Sequence, residues 1–374
     1  MAKYQFISLN SGKVLDDLSL ELKNFDWENF HPENLEYNHL NNIINKPDER
    51  PIISDYLPFK HKMKWLEETR ICYIQTEPII EKVSYDDFLK SALTFFEKFK
   101  NKKIAVQLSG GLDSSIIICL LKYFNIPFTL IGMFSDRYEF RTEKIIQNKL
   151  AEFTTSNKLI DFENNLPFSN LSKIPDFNYP DLSCINYSAD KAMAEACASF
   201  NIDFLFSGEG GDFVFSHEIN SEETKYPWSP TEFYDNWLNE NIYNKVGCEL
   251  VPFYGDEKIM NCIFNLRRGE KEDWSKKWAR NYFKDLLPKE LVTYSYYADF
   301  WGIYCKGILN TIEEMQNLIS TAYAISKNQF FAPENFKAMF SKNILNLDRS
   351  TYSKIEAKVA AAAWVNSNFT KHQR

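Results

Sequence analysis

Residues 104–115 read IAVQLSGGLDSS, a short apolar run that ends in two glycines and is followed by a second apolar run. The first run is typical of a buried strand in a parallel sheet, and the second is typical of a buried helix. Paired glycines allow a sharp turn that presents several backbone N–H groups, and the start of a helix adds further N–H groups and a positive dipole end. The segment therefore predicts a site for a polyphosphate.

Asp113 stands at the mouth of the predicted helix. Its negative charge would repel a phosphate unless a cation lies between the two groups, so its position indicates Mg²⁺. The spacing differs from that of the common phosphate loop, because GxxxxGK[ST] is absent and no lysine follows the glycines. The dinucleotide fingerprint GxGxxG is absent as well.

A second apolar run ends in a glycine turn at residues 204–212, which read FLFSGEGGD. Because ligands bind at the carboxyl edge of parallel sheets, we expect Asp113 and Asp212 to meet there. Two carboxylates and phosphate oxygens would make an oxygen-rich Mg²⁺ site. Glycines and acids are also ordinary turn formers, so a purely structural turn is the alternative for this segment.

SGGLDSS resembles the pyrophosphate-binding loop of the N-type ATP pyrophosphatases, and its sequence is most similar to that of the loop in the asparagine synthetase family. The SGEGGD segment resembles the SGEG[SAG]D motif of the same family. The resemblance implies an α/β fold of the adenine nucleotide α-hydrolase type, with a parallel sheet covered by helices on both faces. It also implies ATP and Mg²⁺ as cofactors, with Asp113 and Asp212 as metal ligands. The ATP-binding residues that it implies in these two motifs are Leu108, Ser109, Gly110, Gly111, Asp113, Ser114, Ser115, Ser207 and Gly208.

Further segments fit the family pattern less specifically. Ile131 and Gly132 end the second predicted strand, at the position where the family's backbone holds adenine. Lys276 and Arg280 match the family's K-x-x-L-R stretch, and their spacing places them on one helical face, where both could meet a phosphate or simply face solvent. Residues 248–256 resemble the VPFLD segment with one extra residue, which leaves the register of Asp256 open.

The chain departs from the family in two places. Glutamine-hydrolysing members begin Met-Cys, whereas this chain begins Met-Ala-Lys, so we expect no glutaminase activity. A tyrosine, Tyr297 or its neighbour Tyr296, stands where the family has a lysine that stabilises charge on the phosphates. A tyrosine carries no positive charge near neutral pH. Either Lys276, Arg280 or Lys306 substitutes for that lysine, or the enzyme is slow or inactive.

The resemblance implies an amide ligase that activates a carboxylate as an acyl-adenylate and passes it to ammonia or an amine. Glu209 is the candidate general base for the amine, and Lys276, Arg280 and Tyr297 are candidates for the phosphates. The carboxylate is a small molecule or a peptide, and a separate protein is a possible supplier of the amine or presenter of the substrate. Peptide cyclisation, another reaction such as transfer to tRNA, and a non-catalytic nucleotide-binding role are the alternatives.

The composition of the 374 residues narrows the class of protein. A hydrophobic fraction of 44% suits a substantial core, and the net charge of −8 does not favour a nucleic-acid partner. Seven dispersed cysteines without CxxC or zinc spacing are typical of reduced thiols, and the apolar runs are too short to span a membrane. We therefore expect a cytoplasmic protein with no nucleic-acid and no membrane partner.

The pattern of the chain changes near residue 84. Residues 1–84 are polar and mixed in pattern, which indicates a small accessory domain, and residues 85–374 are expected to form the ATP-pyrophosphatase domain with a helical C-terminal part from about residue 225. Helices are predicted over residues 85–99, 114–124, 139–153 and 187–200, and strands over 104–108, 128–133 and 203–207.

Overall fold

The computed structural model describes residues 83–137, 140–175, 181–218, 236–293, 300–326, 331–340 and 349–369. Before residue 83 it describes five short strands: β1 (Gln5–Ser8), β2 (Val14–Leu15), β3 (Tyr56–Phe59), β4 (Met63–Leu66) and β5 (Ile71–Ile74). Strand β1 pairs antiparallel with β2 and β3, and β4 pairs antiparallel with β5. The accessory domain over residues 1–84 stays a prediction.

A five-stranded sheet with parallel pairing throughout organises the rest of the molecule. Its strands are β6 (Ile104–Gln107), β7 (Thr129–Phe134), β8 (Asn157–Asp161), β9 (Phe204–Ser207) and β10 (Glu249–Pro252). They lie in the order β10-β9-β6-β7-β8, so that β6 is central and β7 and β9 flank it. The strands that carry the two glycine motifs are therefore neighbours, and both motifs leave the sheet at its carboxyl edge.

Helices connect the strands and follow them. Their bounds are α1 (Tyr85–Glu97), α2 (Leu112–Tyr123), α3 (Arg141–Ala151), α4 (Tyr187–Phe200), α5 (Gly211–Ser216), α6 (Asn236–Leu238), α7 (Glu257–Leu266), α8 (Lys277–Tyr282), α9 (Lys289–Thr293), α10 (Trp301–Ser326), α11 (Pro333–Met339) and α12 (Arg349–Phe369). Short 3₁₀ turns lie at Phe162–Asn164, Leu171–Lys173, Leu182–Asn186, Asn244–Val246 and Phe253–Gly255, and a π turn lies at Asn239–Tyr243. Among the residues that the structure describes, no helix is long and apolar enough to cross a bilayer.

Two hydrophobic clusters cover the two faces of the sheet, because successive side chains of a strand point to opposite sides. On β6, Ala105 packs in the cluster that contains α4, α10 and α12 residues. Its neighbours Ile104 and Val106 pack in the other cluster, with residues of α1, α2, α3 and α7. This arrangement confirms the predicted α/β class, with helices on both faces of a parallel sheet and a mostly helical C-terminal part.

The predicted central elements are present, with ends shifted by a few residues. Helix α4 spans the predicted 187–200, whereas α2 begins at Leu112, two residues earlier than predicted. Two edge strands were not predicted: β8 reads NKLID, and β10 lies in a region that we expected to be helical. The expectation for residues after 225 is therefore corrected at Glu249–Pro252. Strand β8 has only two apolar residues between polar ones, and β10 ends in a proline, so neither shows the apolar run of the central strands.

The described cysteines are six free, buried thiols: Cys119, Cys184, Cys197, Cys248, Cys262 and Cys305. Burial raises the pKa of the Cys119 thiol to about 12, so it stays protonated near neutral pH. All of them except Cys305 serve as small apolar side chains in the two clusters that cover the sheet.

Candidate active site

The first glycine motif forms a tight loop between β6 and α2. Gly110 has a φ of +83°, and a Cβ there would lie 2.6 Å from the carbonyl oxygen of Glu143, so only glycine fits. The Ser109 hydroxyl lies 2.7 Å from that of Ser114 and accepts a hydrogen bond from the Gly111 N–H at 3.1 Å. The two serines thus stabilise the turn from within, and Gly111 begins the helix as its N-cap.

The backbone N–H groups of the loop are available to a ligand. Those of Ser109 and Gly110, and those of Leu112, Asp113 and Ser114 in the first turn of α2, donate to no described residue. Together with the positive end of the helix dipole they make a concavity that could hold an anion. This is the geometry that the spacing of the glycines predicted.

The second glycine motif packs directly on the first. A Cβ on Gly211 would lie 2.3 Å from Cγ of Asp113, and a Cβ on Gly208 would lie 3.0 Å from the backbone nitrogen of Ser114. Gly210 turns the chain with a φ of +84°. The glycines of the second motif therefore allow the two loops to touch at the carboxyl edge of the sheet, and a side chain at Gly211 would push Asp113 out of place.

A lysine joins the two carboxylates that these loops carry. Nζ of Lys276 lies 2.5 Å from Oδ2 of Asp113 and 2.7 Å from Oδ1 of Asp212. The Lys276 and Asp113 side chains are 10% and 16% exposed, whereas Asp212 is 67% exposed. Asp113 and Lys276 thus form the inner, desolvated part of the cluster, and Asp212 faces solvent.

The electrostatics of the cluster follow from this burial. Burial raises the pKa of Asp113, and the charge of Lys276 opposes that shift. Burial lowers the pKa of Lys276, but the two carboxylates outweigh it, so the net shift is upward and the lysine keeps its charge. Desolvation by the neighbouring loops, with the charges of Asp212 and Asp113, also raises the pKa of Glu209, although the residue is exposed to solvent. A raised pKa makes Glu209 a stronger base than an ordinary carboxylate.

The donor set fits a Mg²⁺ ion. Oδ1 of Asp113 is buried without a hydrogen-bond partner, and the oxygens of Asp113 and Asp212 converge on one point, now taken by Nζ of Lys276. The described part of the chain has no cluster of three or more His, Cys, Asp or Glu side chains around a common point. An ion here would therefore take two carboxylates from the protein and its other oxygens from phosphate and water, as Mg²⁺ commonly does.

A cavity of about 200 Å³ opens beside the glycine loop. It is lined by Gln107, Leu108, Ser109, Gly132, Met133, Phe134, Ser135, Phe140, Glu143, Gln147, Phe162, Ala189, Asp190, Met193 and Phe300. A Cβ on Gly132 would lie 2.1 Å from the Leu108 carbonyl oxygen, so a glycine is required where β7 passes the start of the loop. Ile131 is buried, and its carbonyl accepts the Leu108 N–H at 2.9 Å. An apolar cavity with a few polar groups suits a planar base.

Other predicted residues have different surroundings. Nε of the buried Arg280 donates to the Ser275 carbonyl at 3.1 Å, and its Nη1 donates to the Leu291 carbonyl. Lys276 precedes α8 as its N-cap in a left-handed conformation, rather than lying within the helix. Lys306 pairs with Glu163. Tyr296 and Tyr297 lie in residues 294–299, outside the described residues.

Serines of both motifs also have defined positions. The Ser115 hydroxyl donates to the Gly111 carbonyl at 2.6 Å, which stabilises the first turn of α2. The Ser207 hydroxyl is buried and has no hydrogen-bond partner among the described residues. Asp256, whose register the sequence left open, is the N-cap of α7 and lies 2.5 Å from Lys98, so it is a structural residue.

Sequence reasoning missed some residues that contact the site. The Tyr254 hydroxyl donates to the backbone carbonyl of Asp113 at 2.9 Å. Asp190 lines the cavity and accepts a hydrogen bond from Tyr243 at 3.1 Å. Burial, with the charge of Glu209, raises the pKa of Asp190 to about 7. Tyr254 lies in the 248–256 segment, but only the fold brings its hydroxyl to Asp113, and Asp190 belongs to no motif, so no local signal reveals either contact.

Comparisons with known proteins agree with the two motifs. The family model "Asparagine synthase" matches residues 99–246. A probable glutamine-hydrolysing asparagine synthetase of Acanthamoeba polyphaga mimivirus is 24% identical over 274 residues, which cover 66% of this chain and 49% of that protein. The microcin J25-processing protein McjC of Escherichia coli is 32% identical over 121 residues, which cover 31% of this chain and 22% of McjC. The chain thus spans about half of the first relative and less of the second.

A solved structure of NMN synthetase from Francisella tularensis overlaps 62% of this chain and 96% of that one, at 9% identity and a TM-score of 0.28. That likeness is too weak to support an argument about the site. The family match has more weight, because residues 99–246 include the glycine loop, Glu209 and Asp212. Residues 99–246 are therefore similar to the asparagine synthase family.

Proposed function

We propose that this protein is an ATP-dependent amide-bond-forming ligase that releases AMP and pyrophosphate through an acyl-adenylate. The observation that carries the proposal is the meeting of Asp113, Asp212 and Lys276 beside a loop whose N–H groups lack partners. With Mg²⁺ on the two carboxylates, such a site would neutralise the charge of a polyphosphate from several sides at once. Cleavage between the α and β phosphates needs that neutralisation, because pyrophosphate leaves with high negative charge.

In the first proposed step, a substrate carboxylate oxygen attacks the α phosphorus of ATP, and the bond from that phosphorus to the bridging oxygen breaks. The loop N–H groups hold the departing pyrophosphate, and Lys276 donates to it as its charge grows. With Lys276 turned to the phosphate, Asp113 and Asp212 would hold Mg²⁺, which would supply positive charge to the phosphate oxygens. The rate enhancement of this step comes mainly from positioning of the reactants and from charge neutralisation.

In the second proposed step, an amine or ammonia attacks the acyl carbonyl, the bond to the AMP oxygen breaks, and an amide forms. The nitrogen must lose a proton, and Glu209 accepts it. Its raised pKa and its solvent contact support this role, because a general base works best with a pKa closer to the working pH.

A peptide is the second candidate for the substrate. The 32% identity with a protein that processes microcin J25 supports a peptide carboxylate and a peptide amine, joined within one molecule or between two. A separate protein that presents the peptide or supplies the amine fits this proposal.

The cytoplasm is the proposed location of the protein.

The decisive experiment is product analysis. The purified protein, Mg²⁺, ATP labelled at the α phosphate and a panel of carboxylates and peptides should yield AMP together with pyrophosphate, and carboxylate-dependent exchange of pyrophosphate into ATP should occur. Asp113→Asn should abolish the exchange, whereas Asp136→Asn, a change in an exposed carboxylate paired with Lys144, should retain it. ADP and phosphate as the sole products would exclude this reaction.

A further inference from the structure

The Gln147 side chain contacts three backbone carbonyls at the start of the glycine loop. It projects from α3 and is 2% exposed. Its Nε2 atom lies 3.0 Å from the carbonyl oxygen of Leu108, 3.2 Å from that of Ser109 and 2.8 Å from that of Met133. One amide group therefore serves the first two residues of the glycine loop and the end of the neighbouring strand.

These bonds fix the direction in which the loop presents its N–H groups. The peptide groups are trans, so the N–H of a residue points opposite to the carbonyl of the residue before it. The carbonyls of Leu108 and Ser109 point toward Gln147, and the N–H groups of Ser109 and Gly110 therefore point away from it. Those two N–H groups donate to no described residue and remain available for an anion.

The loop depends on Gln147 more than the neighbouring strand does. Strand β7 is paired with β6 on one side and with β8 on the other, and Met133 lies opposite Ile160 of β8 in that pairing. Beyond Leu108, whose N–H still donates to Ile131, the loop has left the sheet. Loss of the amide would thus release the loop carbonyls while β7 kept its position.

We propose that Gln147 is a positioning residue that holds the glycine loop with its N–H groups facing the nucleotide phosphates. The proposal rests on the proposed ATP-dependent function, because the phosphates are those of ATP. The side chain touches no reacting atom in this role. It contributes by preorganisation, because without it the loop would have to order itself when the nucleotide binds.

Substitution of Gln147 tests this role by separating phosphate binding from base binding. Gln147→Met keeps the length of the side chain and removes both N–H donors, and Asn148→Met changes the next, exposed residue of α3 as a matched control. Calorimetric titrations of wild-type and variant proteins with Mg-ATP and with adenosine give the two affinities. We expect Gln147→Met to weaken Mg-ATP binding about tenfold or more and adenosine binding less than threefold, because only the phosphates take the N–H groups of the loop, whereas adenosine meets the loop along the cavity wall.

A donor-bearing variant completes the test. Gln147→Lys places three N–H donors near the same carbonyls, beside the buried Glu143 one turn earlier, and should recover most of the Mg-ATP affinity that Gln147→Met loses. If Gln147→Met does not fold, as judged by circular dichroism, Gln147→Leu replaces it, since it also removes the donating group and adds no charge. Mg-ATP affinity within threefold of wild type in the donor-free variant, or an equal loss for adenosine, would overturn the proposal. Wild-type protein that binds no Mg-ATP would instead refute the proposed function.

Discussion

The ammonium group of Lys276 lies 2.5 Å from the Asp113 carboxylate, although 163 positions of sequence separate the two residues. The left-handed backbone of Lys276, with a φ of 54°, follows a turn in which its N–H donates to the Asp273 carbonyl at 3.0 Å. The turn ends the segment between α7 and α8, and it directs the Lys276 side chain toward the glycine loop that carries Asp113. The charged cluster therefore forms only when the chain after β10 has packed against the sheet.

The first prediction concerns the stability that this ion pair provides. Lys276→Met leaves Asp113 desolvated beside Asp212 without its counter-charge, and we expect the free energy of unfolding to fall by about 2–3 kcal/mol. Urea denaturation at pH 7 measures the change. Lys277→Met, a change in the next and exposed lysine, should cost less than about 0.5 kcal/mol.

A double-mutant cycle separates the ion pair from other effects of Lys276→Met. Combining it with Asp113→Asn removes both charges, so the two losses should overlap by more than 1 kcal/mol. Strict additivity of the two changes would contradict an energetic link between Lys276 and Asp113.

The second prediction concerns Mg²⁺. In the wild-type protein Lys276 occupies the point on which the two carboxylates converge, so Mg²⁺ alone must compete with an ammonium group. In Lys276→Met a cation is missing there, and Mg²⁺ should raise the thermal midpoint by several degrees more than in the wild type. Melting curves at increasing Mg²⁺ measure the difference. The double variant Lys276→Met with Asp212→Asn should lose most of this additional rise in thermal midpoint. Equal shifts of the midpoint with Mg²⁺ in all three proteins would exclude a cation site at this cluster.

Much of the site could be predicted because its information is local. A strand, two glycines and a helix lie within residues 104–123, and the sheet edge to which they lead follows from the rules of parallel sheets. The meeting of Asp113 and Asp212 was predicted on that basis, and the structure brings both carboxylates within 2.7 Å of Nζ of Lys276. The roles assigned to the individual residues remain predictions.

Other features depend on contacts between distant parts of the chain. The spacing of Lys276 and Arg280 predicted one helical face, yet Arg280 donates to backbone carbonyls while Lys276 reaches the carboxylates from a turn. Gln147 looks in the sequence like any polar residue of an amphipathic helix, and only the fold brings three carbonyls to it. Periodicity reports which face is buried, but it does not report which polar groups lie opposite.

The third prediction concerns the close approach of the two loops. A methyl group at Gly211 would lie 2.3 Å from Cγ of Asp113, so Gly211→Ala must displace a buried carboxylate and its lysine. We expect a loss of about 2–3 kcal/mol in the free energy of unfolding. Gly111→Ala is the matched control, because the added Cβ meets only the Ser109 hydroxyl at 3.3 Å, and it should cost about 1 kcal/mol or less. Equal costs in urea titrations of the two variants would contradict the packing described here.

The fourth prediction concerns the pH dependence of stability through Asp190. Burial, together with the charge of Glu209, raises the pKa of Asp190 in the folded protein from 3.8 to about 7, while a hydrogen bond from Tyr243 acts in the other direction. The folded state therefore binds a proton more tightly than the unfolded state. The stability that the neutral carboxyl provides is fully present below about pH 4 and is lost as the pH rises through 7.

Asp190→Asn removes this titration and keeps an oxygen that accepts from Tyr243. The variant should match the wild type in free energy of unfolding near pH 4 and exceed it by about 2–4 kcal/mol at pH 8. At pH 8 the wild type must keep an ionised Asp190 carboxylate in a desolvated position, and the variant has no such charge. Other shifted carboxyls, such as Glu356 with its pKa of about 7, are present in both proteins and cancel in the difference. Urea titrations across that pH range measure the difference, and a difference that stays constant with pH would mean that Asp190 titrates at its ordinary value. Because Asp190 lines the cavity, the same variant should also change the pH dependence of adenosine affinity between pH 6 and 8.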